Sequence, residues 1–541
     1  MARSTGRAQR AFWRWAALAG VVSAAVFLAA AEFVALIVAR ESSPILAVGS
    51  FVIDIVPQPL KEFAIAAFGA YDKIVLLLSL ALAVLIAAAV AGVLQFVKAP
   101  LGVAALTLAG ALALAAIVTR ADASPLAALP PVAGAVAGCV VLWVLIVRLR
   151  DWAAGSPPPP AAETTLDNAV ERPTVHPKGD AATASLDRRM FLRMAAIAGA
   201  TALVVGVASR ALISATSSSI TAVREALRLP VSRTTVTVPA GAELDIPGIS
   251  PLFTPNKDFY RVDTALIVPS VDPGTWRLVV DGMVDRRVEL TFEQLLSMGL
   301  DEYAITLTCV SNEVGGPLVG TAMWLGVPLR EVLKLAGPSP DANMVLSRSV
   351  DGFTASTPLE SLTDSGLDAI LAVGMNGEPL PLKHGFPVRM VVPGLYGYVS
   401  ATKWLSELTV TTFAADQAYW TPRGYSARAP IKFSSRLDTP RTGQPVPAGR
   451  VPLAGVAWAQ TVGIERVEVS VDDGQWQAAR LSNPVSDDTW VQWVVEWDAT
   501  PGMHYIVVRA TNKNGELQIQ ERAPIAPDGS TGWQRTLIRV T

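Results

Sequence analysis

The sequence predicts a multi-domain chain: an N-terminal α-helical transmembrane bundle, then an α+β domain, then an all-β immunoglobulin-like sandwich. Three observations predict it. Ala, Val and Leu runs crowd the first 215 or so of 541 residues, while the rest has ordinary globular texture. Several of those runs reach about 20 residues, the length that crosses a bilayer. After about residue 430, short alternating stretches separated by turn residues replace them.

The membrane region comes first. Apolar spans lie near 16–39, 74–97, 101–119 and 131–147, so 1–150 reads as four transmembrane helices. Glu32 is the single charge inside a span and sits near its outer end, with Arg40 close by. Arg3, Arg7, Arg10 and Arg14 place the N-terminus in the cytoplasm; Lys98, Arg148 and Arg150 mark the inner ends of later spans. Residues 151–187, opening with SPPPP, read as a cytoplasmic linker too poor in apolar residues to bury a core. Arg188-Arg189-Met190-Phe191-Leu192-Arg193 then resembles a twin-arginine export signal ahead of a mild apolar stretch. The same residues also suit the positive-inside flank of a fifth span, 188–215. Either way, everything after a second linker, 216–240, is expected outside the cytoplasm, in a multi-pass protein of the cell membrane.

The α+β domain is expected over 241–425. WRLVVDGMV alternates as a strand and carries a turn signal, Asp281-Gly282. LTFEQLLSMG reads as a helix capped by Thr291, with Glu293 in its first turn and Gly299 as its stop. A second helix is expected from Val327 to Gly337, and a buried strand between Pro387 and Pro393. Over 426–541, Val467, Val469 and Val471 alternate before a DDG turn, and an NG turn stands at 514–515. Such spacing predicts a β-sandwich. Its tryptophans, among them Trp458, Trp476, Trp490, Trp493, Trp497 and Trp533, are expected in core and interface.

Composition excludes several functions. The net charge is −2, with no basic stripe for nucleic acid. Two cysteines far apart build neither a disulfide framework nor a cysteine-only zinc site. The three histidines, His176, His384 and His504, all lie outside the apolar spans, and there is no CxxCH, so one chain cannot hold a haem between its membrane helices.

One residue then stands out. Cys309 lies in TLTCVSNEVGG, a polar and glycine-rich setting. A lone thiol is usually a buried structural one. It could also be a nucleophile paired with His384. A third reading is a thiolate ligand to a soft metal centre inserted as a prebuilt cofactor.

TLTCVSN followed by WLGVPLREVL resembles the sulfite oxidase family of molybdopterin enzymes, in which the cysteine is the protein's ligand to molybdenum. The resemblance extends over roughly 245–541. FTPNKDFYRVDT implies that Asn256, Phe259, Tyr260 and Arg261 lie at the pterin. HGFPVRMVVPGLYGYVSATKWL implies the same for His384, Arg389, Ser400, Thr402 and Lys403, and DGFTASTP for Asp351 and Thr354. Cys309 is then both the metal ligand and the catalytic residue, and the cofactor is molybdenum-molybdopterin. The chemistry implied is two-electron oxygen-atom transfer, with electrons exchanged through a separate cytochrome, quinone or other carrier. The C-terminal domain implies a possible homodimer, and membrane lipid is the remaining partner; no nucleic acid is expected. Arg389 and Lys403 suit a phosphate, and Gly385, Gly394 and Gly397 permit close backbone approach. Two departures matter. Glu313 stands where the family carries positive charge, and Phe353 where sulfite oxidases carry Tyr. A carboxylate facing an oxyanion would repel it, so a small neutral or cationic substrate, such as a sulfoxide or N-oxide, is expected. The alternatives are a true sulfite oxidase, a metal-free binding or assembly module on a membrane platform, and a cysteine hydrolase.

Overall fold

A computed structural model describes residues 2–38, 72–118, 125–154, 180–265 and 267–541. It divides into two compact units, Met1–Ser217 and Ser218–Thr541.

The first unit is helical. Ala-, Leu- and Val-rich segments free of interior proline form helices Ala2–Val38, Asp72–Val97 and Leu101–Val118. Helix Leu129–Ala154 follows, with its two prolines confined to the first turn, where no backbone hydrogen bond is lost. Small residues let the helices approach closely. A Cβ on Gly20 would lie 2.0 Å from the Ala88 carbonyl oxygen, and one on Gly92 2.0 Å from that of Ala16. Both glycines are therefore required at this crossing. Trp15, Trp152 and Phe191 cluster at one end of the unit, and the Arg188 guanidinium sits 5.8 Å from the Trp152 ring centroid. Four apolar segments, Phe12–Val38, Val75–Val97, Leu126–Ala154 and Asp187–Ala226, are long enough to cross a membrane, while Leu101–Ile117 is shorter.

The predicted boundaries shift here. Residues 155–179 of the expected linker, the loop 39–71 and His176 lie outside the described residues. The linker's remaining ends, 151–154 and 180–187, are helical. Nor does the fifth helix stop at 215: it runs Asp180–Ala226, because no proline intervenes before Pro230.

Among its described residues the second unit contains four sheets. The strands of the first part are β1 (Arg277–Gly282), β2 (Val288–Thr291), β3 (Asp301–Thr308), β4 (Val319–Pro328), β5 (Met344–Ser349), β6 (Thr354–Pro358), β7 (Ile370–Met375), β8 (Glu378–Pro379), β9 (Arg389–Val391) and β10 (Leu405–Thr411). They form one sheet in the order β2-β1-β10-β5-β6 and another in the order β3-β4-β7-β8, with β9 on β7. Asp281-Gly282 is not a two-residue turn: it ends β1, pairing in parallel with Thr409-Val410 of β10, and the chain reverses over 283–287. The Thr291 cap is present as a capping box closed by Gln294, with Glu293 in the first turn. The second helix begins at Leu329, since Val327 and Pro328 are held in β4, and ends at Gly337 with φ +71°.

The C-terminal part has strands β11 (Ser434–Thr439), β12 (Gly449–Trp458), β13 (Ile464–Val471), β14 (Gln477–Ala478), β15 (Arg480–Leu481), β16 (Val491–Ala499), β17 (Gly502–Asn512) and β18 (Gln534–Val540). Two four-stranded sheets, β11-β12-β16-β15 and β14-β13-β17-β18, share a core that includes Leu453, Val467, Trp493, Val508 and Ile538. The inward residues alternate along β13 and β17, as a two-layer packing demands. This part also braces β3. The Thr306 amide donates to the Asp488 carbonyl (2.9 Å), the Trp490 amide donates to Thr306 Oγ1 (2.8 Å), and Gln460 Nε2 donates to the Thr306 carbonyl (3.1 Å).

Candidate active site

The site is assembled from strand ends. β3 delivers Cys309, β5 ends at Ser349 and leads to Asp351, His384 precedes β9, Arg389 opens it, and Lys403 and Trp404 precede β10. Their side chains line one cavity together with Phe259 and Tyr260.

The Cys309 loop is tied down by backbone bonds. The Cys309 amide donates to Leu318 O (2.9 Å), and its carbonyl accepts from the Asn312 amide (3.0 Å). Asn312 Oδ1 accepts from the Leu318 amide (2.8 Å), closing the loop. Outside it, Ser530 Oγ donates to Asn312 O (2.8 Å) and Arg436 Nη1 to Gly316 O (2.9 Å). The thiol is buried. Burial pushes its pKa up, opposed by hydrogen bonds from Ser311 and by the charge of Lys403.

Around it the cavity holds two cations of unlike standing. Lys403 is paired: its Nζ lies 2.6 Å from Asp263 Oδ2, which also takes Arg261 Nε at 2.7 Å. Burial lowers the Lys403 pKa to about 8 against the pull of Asp263. Arg389 has no such partner among the described residues. Its guanidinium donates to the carbonyls of Met390 (3.2 Å), His384 (3.2 Å) and Ala401 (3.4 Å), and it is 5 % exposed. Burial lowers its pKa to about 10. Three carbonyl dipoles leave a full positive charge uncompensated, and such a charge in a buried cavity calls for an anion.

His384 is also buried, with Nε2 3.1 Å from the Asn256 carbonyl oxygen. Burial and the nearby Arg389 hold its pKa down to about 3, so the ring is neutral and Nε2 donates the proton. A nucleophile–base pair with Cys309 has no support: the hydrogen-bonding nitrogen of His384 points to Asn256.

Seven of the twelve sequence-predicted residues line the cavity: Phe259, Tyr260, Cys309, Asp351, His384, Arg389 and Lys403. The other five do not. Asn256 donates to Met375 O and Glu378 Oε1, so it orders the β7–β8 turn. Arg261 is exposed beside Asp263. Thr354 Oγ1 accepts from the Tyr419 amide (3.0 Å). Ser400 Oγ donates to Leu395 O and Tyr396 O, and Thr402 Oγ1 is bonded to Ser347 Oγ (2.7 Å); both are buried, with their hydroxyls satisfied by protein.

Sequence reasoning missed Asp263, Ser311 and an aromatic wall. Tyr398, Trp420 and Tyr425 form edge-to-face contacts, with Tyr398–Tyr425 centroids 5.6 Å apart and Trp420–Tyr425 5.1 Å apart, and all three line the cavity with Phe353. Asp263 carried a local signal, an acid two residues beyond Arg261; the aromatics lie too far along the chain from Cys309 to carry one. One expectation is corrected. Glu313 is exposed and outside the cavity lining, because the loop between Asn312 and Gly316 turns outward. Its carboxylate therefore does not face a substrate.

With this geometry in place, resemblances to known proteins acquire meaning. Residues 265–420 match the oxidoreductase molybdopterin binding domain. The chain is 31% identical over 339 residues to mitochondrial sulfite oxidase of Homo sapiens, covering 53% of this chain and 62% of that one. It is 30% identical over 335 residues to sulfite oxidase of Gallus gallus, covering 52% and 72%. Nitrate reductase of Spinacia oleracea matches at 33% identity over 178 residues, 28% of this chain and 19% of that one. The chain thus spans about three fifths of the mammalian sulfite oxidases it matches. A crystal structure of the sulfane dehydrogenase SoxCD from Paracoccus pantotrophus matches with TM-score 0.48 and 23% identity, over 54% of this chain and 82% of that one.

Proposed function

This chain belongs to the sulfite oxidase family, and on that premise we propose that it is a membrane-anchored, extracytoplasmic molybdopterin oxidoreductase acting by two-electron oxygen-atom transfer. The observation that carries the reading is the pairing, in one cavity, of a buried thiol with a buried guanidinium that has no anion of its own. A molybdenum-molybdopterin answers both needs: a metal for the thiolate, and a phosphate-bearing tail for the cation. The residues fit the group. Cys309 would bind the metal; Arg389 and Lys403 would take its anionic part, and Phe259, Tyr260, Asp351 and His384 would flank it. The cofactor supplies the redox couple when bound, cycling between Mo(VI) and Mo(IV).

The chain's own residues do the rest. The backbone of Cys309 is fixed by its bonds to Leu318 and Asn312, so the loop that carries the thiol is in place before any ligand arrives. Loss of its proton is assisted by Ser311 and Lys403. Neutral His384 donates from Nε2 to Asn256 and adds no positive charge to the cavity. Phe353, Tyr398, Trp420 and Tyr425 give the same cavity an aromatic wall.

That wall supports a sulfoxide-type substrate, on a ground different from Glu313. With Arg389 and Lys403 committed to the cofactor, no other lysine or arginine lines the cavity among the described residues. A small polar oxide carried on an apolar group suits aromatic rings; sulfite lacks the cation it would need. The four long apolar segments support membrane anchoring, and the Arg188-Arg189 pattern supports export of a folded, cofactor-loaded domain. The paired four-stranded sheets support an immunoglobulin-like domain that would serve dimerisation. Molybdenum and pterin analysis of the purified protein tests the assignment, followed by a screen of sulfoxides and sulfite with artificial electron donors and acceptors. A protein without molybdenum would instead support a binding module.

A further inference from the structure

Cys309 follows directly on β3, and β3 is the edge strand of its sheet, paired with β4 on one side. An open edge leaves amide and carbonyl groups without strand partners. Here the C-terminal part closes it. At Thr306 the amide donates to Asp488 O (2.9 Å) and the carbonyl accepts from Gln460 Nε2 (3.1 Å). The same Nε2 lies 3.1 Å from Oγ1 of Thr308, the residue before Cys309. Leu307 and Cys309 line the cavity, whereas Thr306 and Thr308 do not, in keeping with the two-residue alternation of a strand. Gln460 therefore grips the end of β3 from outside the cavity.

Two features at this grip have no packing reason. The Gln460 side chain is buried, 5 % exposed, and its Oε1 has no partner among the described residues. The amide cannot turn round, because the Thr306 carbonyl only accepts and only the nitrogen can donate to it. Buried acceptors are rarely left unpaired, so the side chain is placed for its N–H groups and not for its oxygen. The next residue, Thr461, has φ +70°. A β-branched residue in the left-handed region is strained, and such strain gathers at functional positions. The turn is tied down by the Thr461 amide, which donates to Asp488 Oδ1 (3.0 Å), on the same residue whose carbonyl takes the Thr306 amide. The turn after β12, Asp488 and the end of β3 form one connected network.

We propose that Gln460 is a positioning residue for the Cys309 thiolate: through Thr306 and Thr308 it fixes the strand end from which the sulfur projects. The proposal rests on reading Cys309 as the ligand to molybdenum. Partners beyond a metal's own ligands orient those ligands and tune the metal without touching it. Ser530 and Arg436 hold the loop downstream of Cys309, at Asn312 and Gly316. Gln460 holds the strand upstream, so the C-terminal part pins the cysteine from both sides.

The test uses the full chain in detergent, carrying Cys139→Ser so that Cys309 is its single thiol. Gln460→Met keeps the side chain's length and removes both donors. Gln460→Glu, the milder variant, keeps the shape and donates to the Thr306 carbonyl only when its carboxyl is protonated. Two readouts are taken. In cofactor-free protein, the rate of Cys309 alkylation by iodoacetamide at one fixed alkaline pH reads the hold on the thiol. Loss of about one net hydrogen bond makes opening of the edge roughly fivefold easier, so both variants are expected to react about fivefold faster than the parent. In cofactor-loaded, partly reduced protein, the Mo(V) resonance reads the metal's surroundings. Its g-values are expected to shift in Gln460→Met. In Gln460→Glu they are expected to shift at alkaline pH and to return towards the parent's in acid, a reversal that a lost packing contact would not give. Unchanged alkylation in both variants, or g-values unchanged from the parent's, overturns the proposal. Absence of molybdenum from the parent would refute the reading of Cys309 as a ligand, and the alkylation rates would still decide whether Gln460 holds the thiol.

Discussion

Arg389→Met separates a functional cation from a structural one. A base whose pKa falls on folding costs stability at every pH below its folded value; the cost is relieved only as pH rises above about 10. A fall from the free guanidinium value to about 10 is worth on the order of 3 kcal/mol, each tenfold being about 1.4 kcal/mol. Methionine removes that cost and also removes the bonds to Met390, His384 and Ala401, which takes back about 1–3 kcal/mol. The cofactor-free protein should therefore change by less than about 2 kcal/mol, or a few degrees in the Tm of the second unit. Cofactor retention should behave otherwise. Loss of a charged hydrogen bond of roughly 1.5–3 kcal/mol weakens binding about 10- to 150-fold. The assay is paired: scanning calorimetry of cofactor-free protein, and pterin and molybdenum content after gel filtration. A stability loss of about 4 kcal/mol or more, the range for breaking a buried ion pair, with cofactor retained, would refute the claim that Arg389 waits for an anion.

Other expectations follow from neighbouring residues. Asp263→Asn strips Lys403 and Arg261 of their shared carboxylate, and should cost about 3–5 kcal/mol by thermal unfolding unless Lys403 loses its proton. For His384 the folded pKa is depressed to about 3 from 6.5, so its neutral form favours folding above 6.5 and stability drains as pH falls from 6.5 towards 3. His384→Gln should flatten the Tm profile across that window. Gly455→Ala would bring a Cβ within 1.8 Å of the Arg436 carbonyl oxygen, so β11 and β12 must part; a loss of more than about 3 kcal/mol is expected, and an unchanged Tm would contradict the register described here.

Much of this was legible in the sequence, and the gaps have physical causes. The apolar runs, the Thr291 cap and the Asp472–Gly474 turn are local signals, and they fold where local chemistry puts them. Cys309 stood out because a thiol in a Thr-, Ser- and Gly-rich loop has no packing reason to be there. Arg389 and Lys403 were found through their motif, but their inequality was not: whether a cation has a partner depends on Asp263, 140 positions upstream of Lys403. Ser400 and Thr402 look like donors in a motif, yet their hydroxyls are spent on backbone and on Ser347. Glu313 misled for the related reason that loop direction is set by distant contacts, here Ser530 and Arg436. The fifth helix overran its predicted end because nothing before Pro230 stops it.

X-ray absorption at the molybdenum edge tests the central claim most directly, with metal content measured on the same samples of parent protein and Cys309→Ser. The account predicts ~1 molybdenum per chain, coordinated by the cofactor's sulfurs and the Cys309 thiolate. It predicts one sulfur scatterer fewer in the variant, with the pterin largely retained and activity lost. Molybdenum absent from the parent, or an identical sulfur shell and full activity in Cys309→Ser, would contradict it.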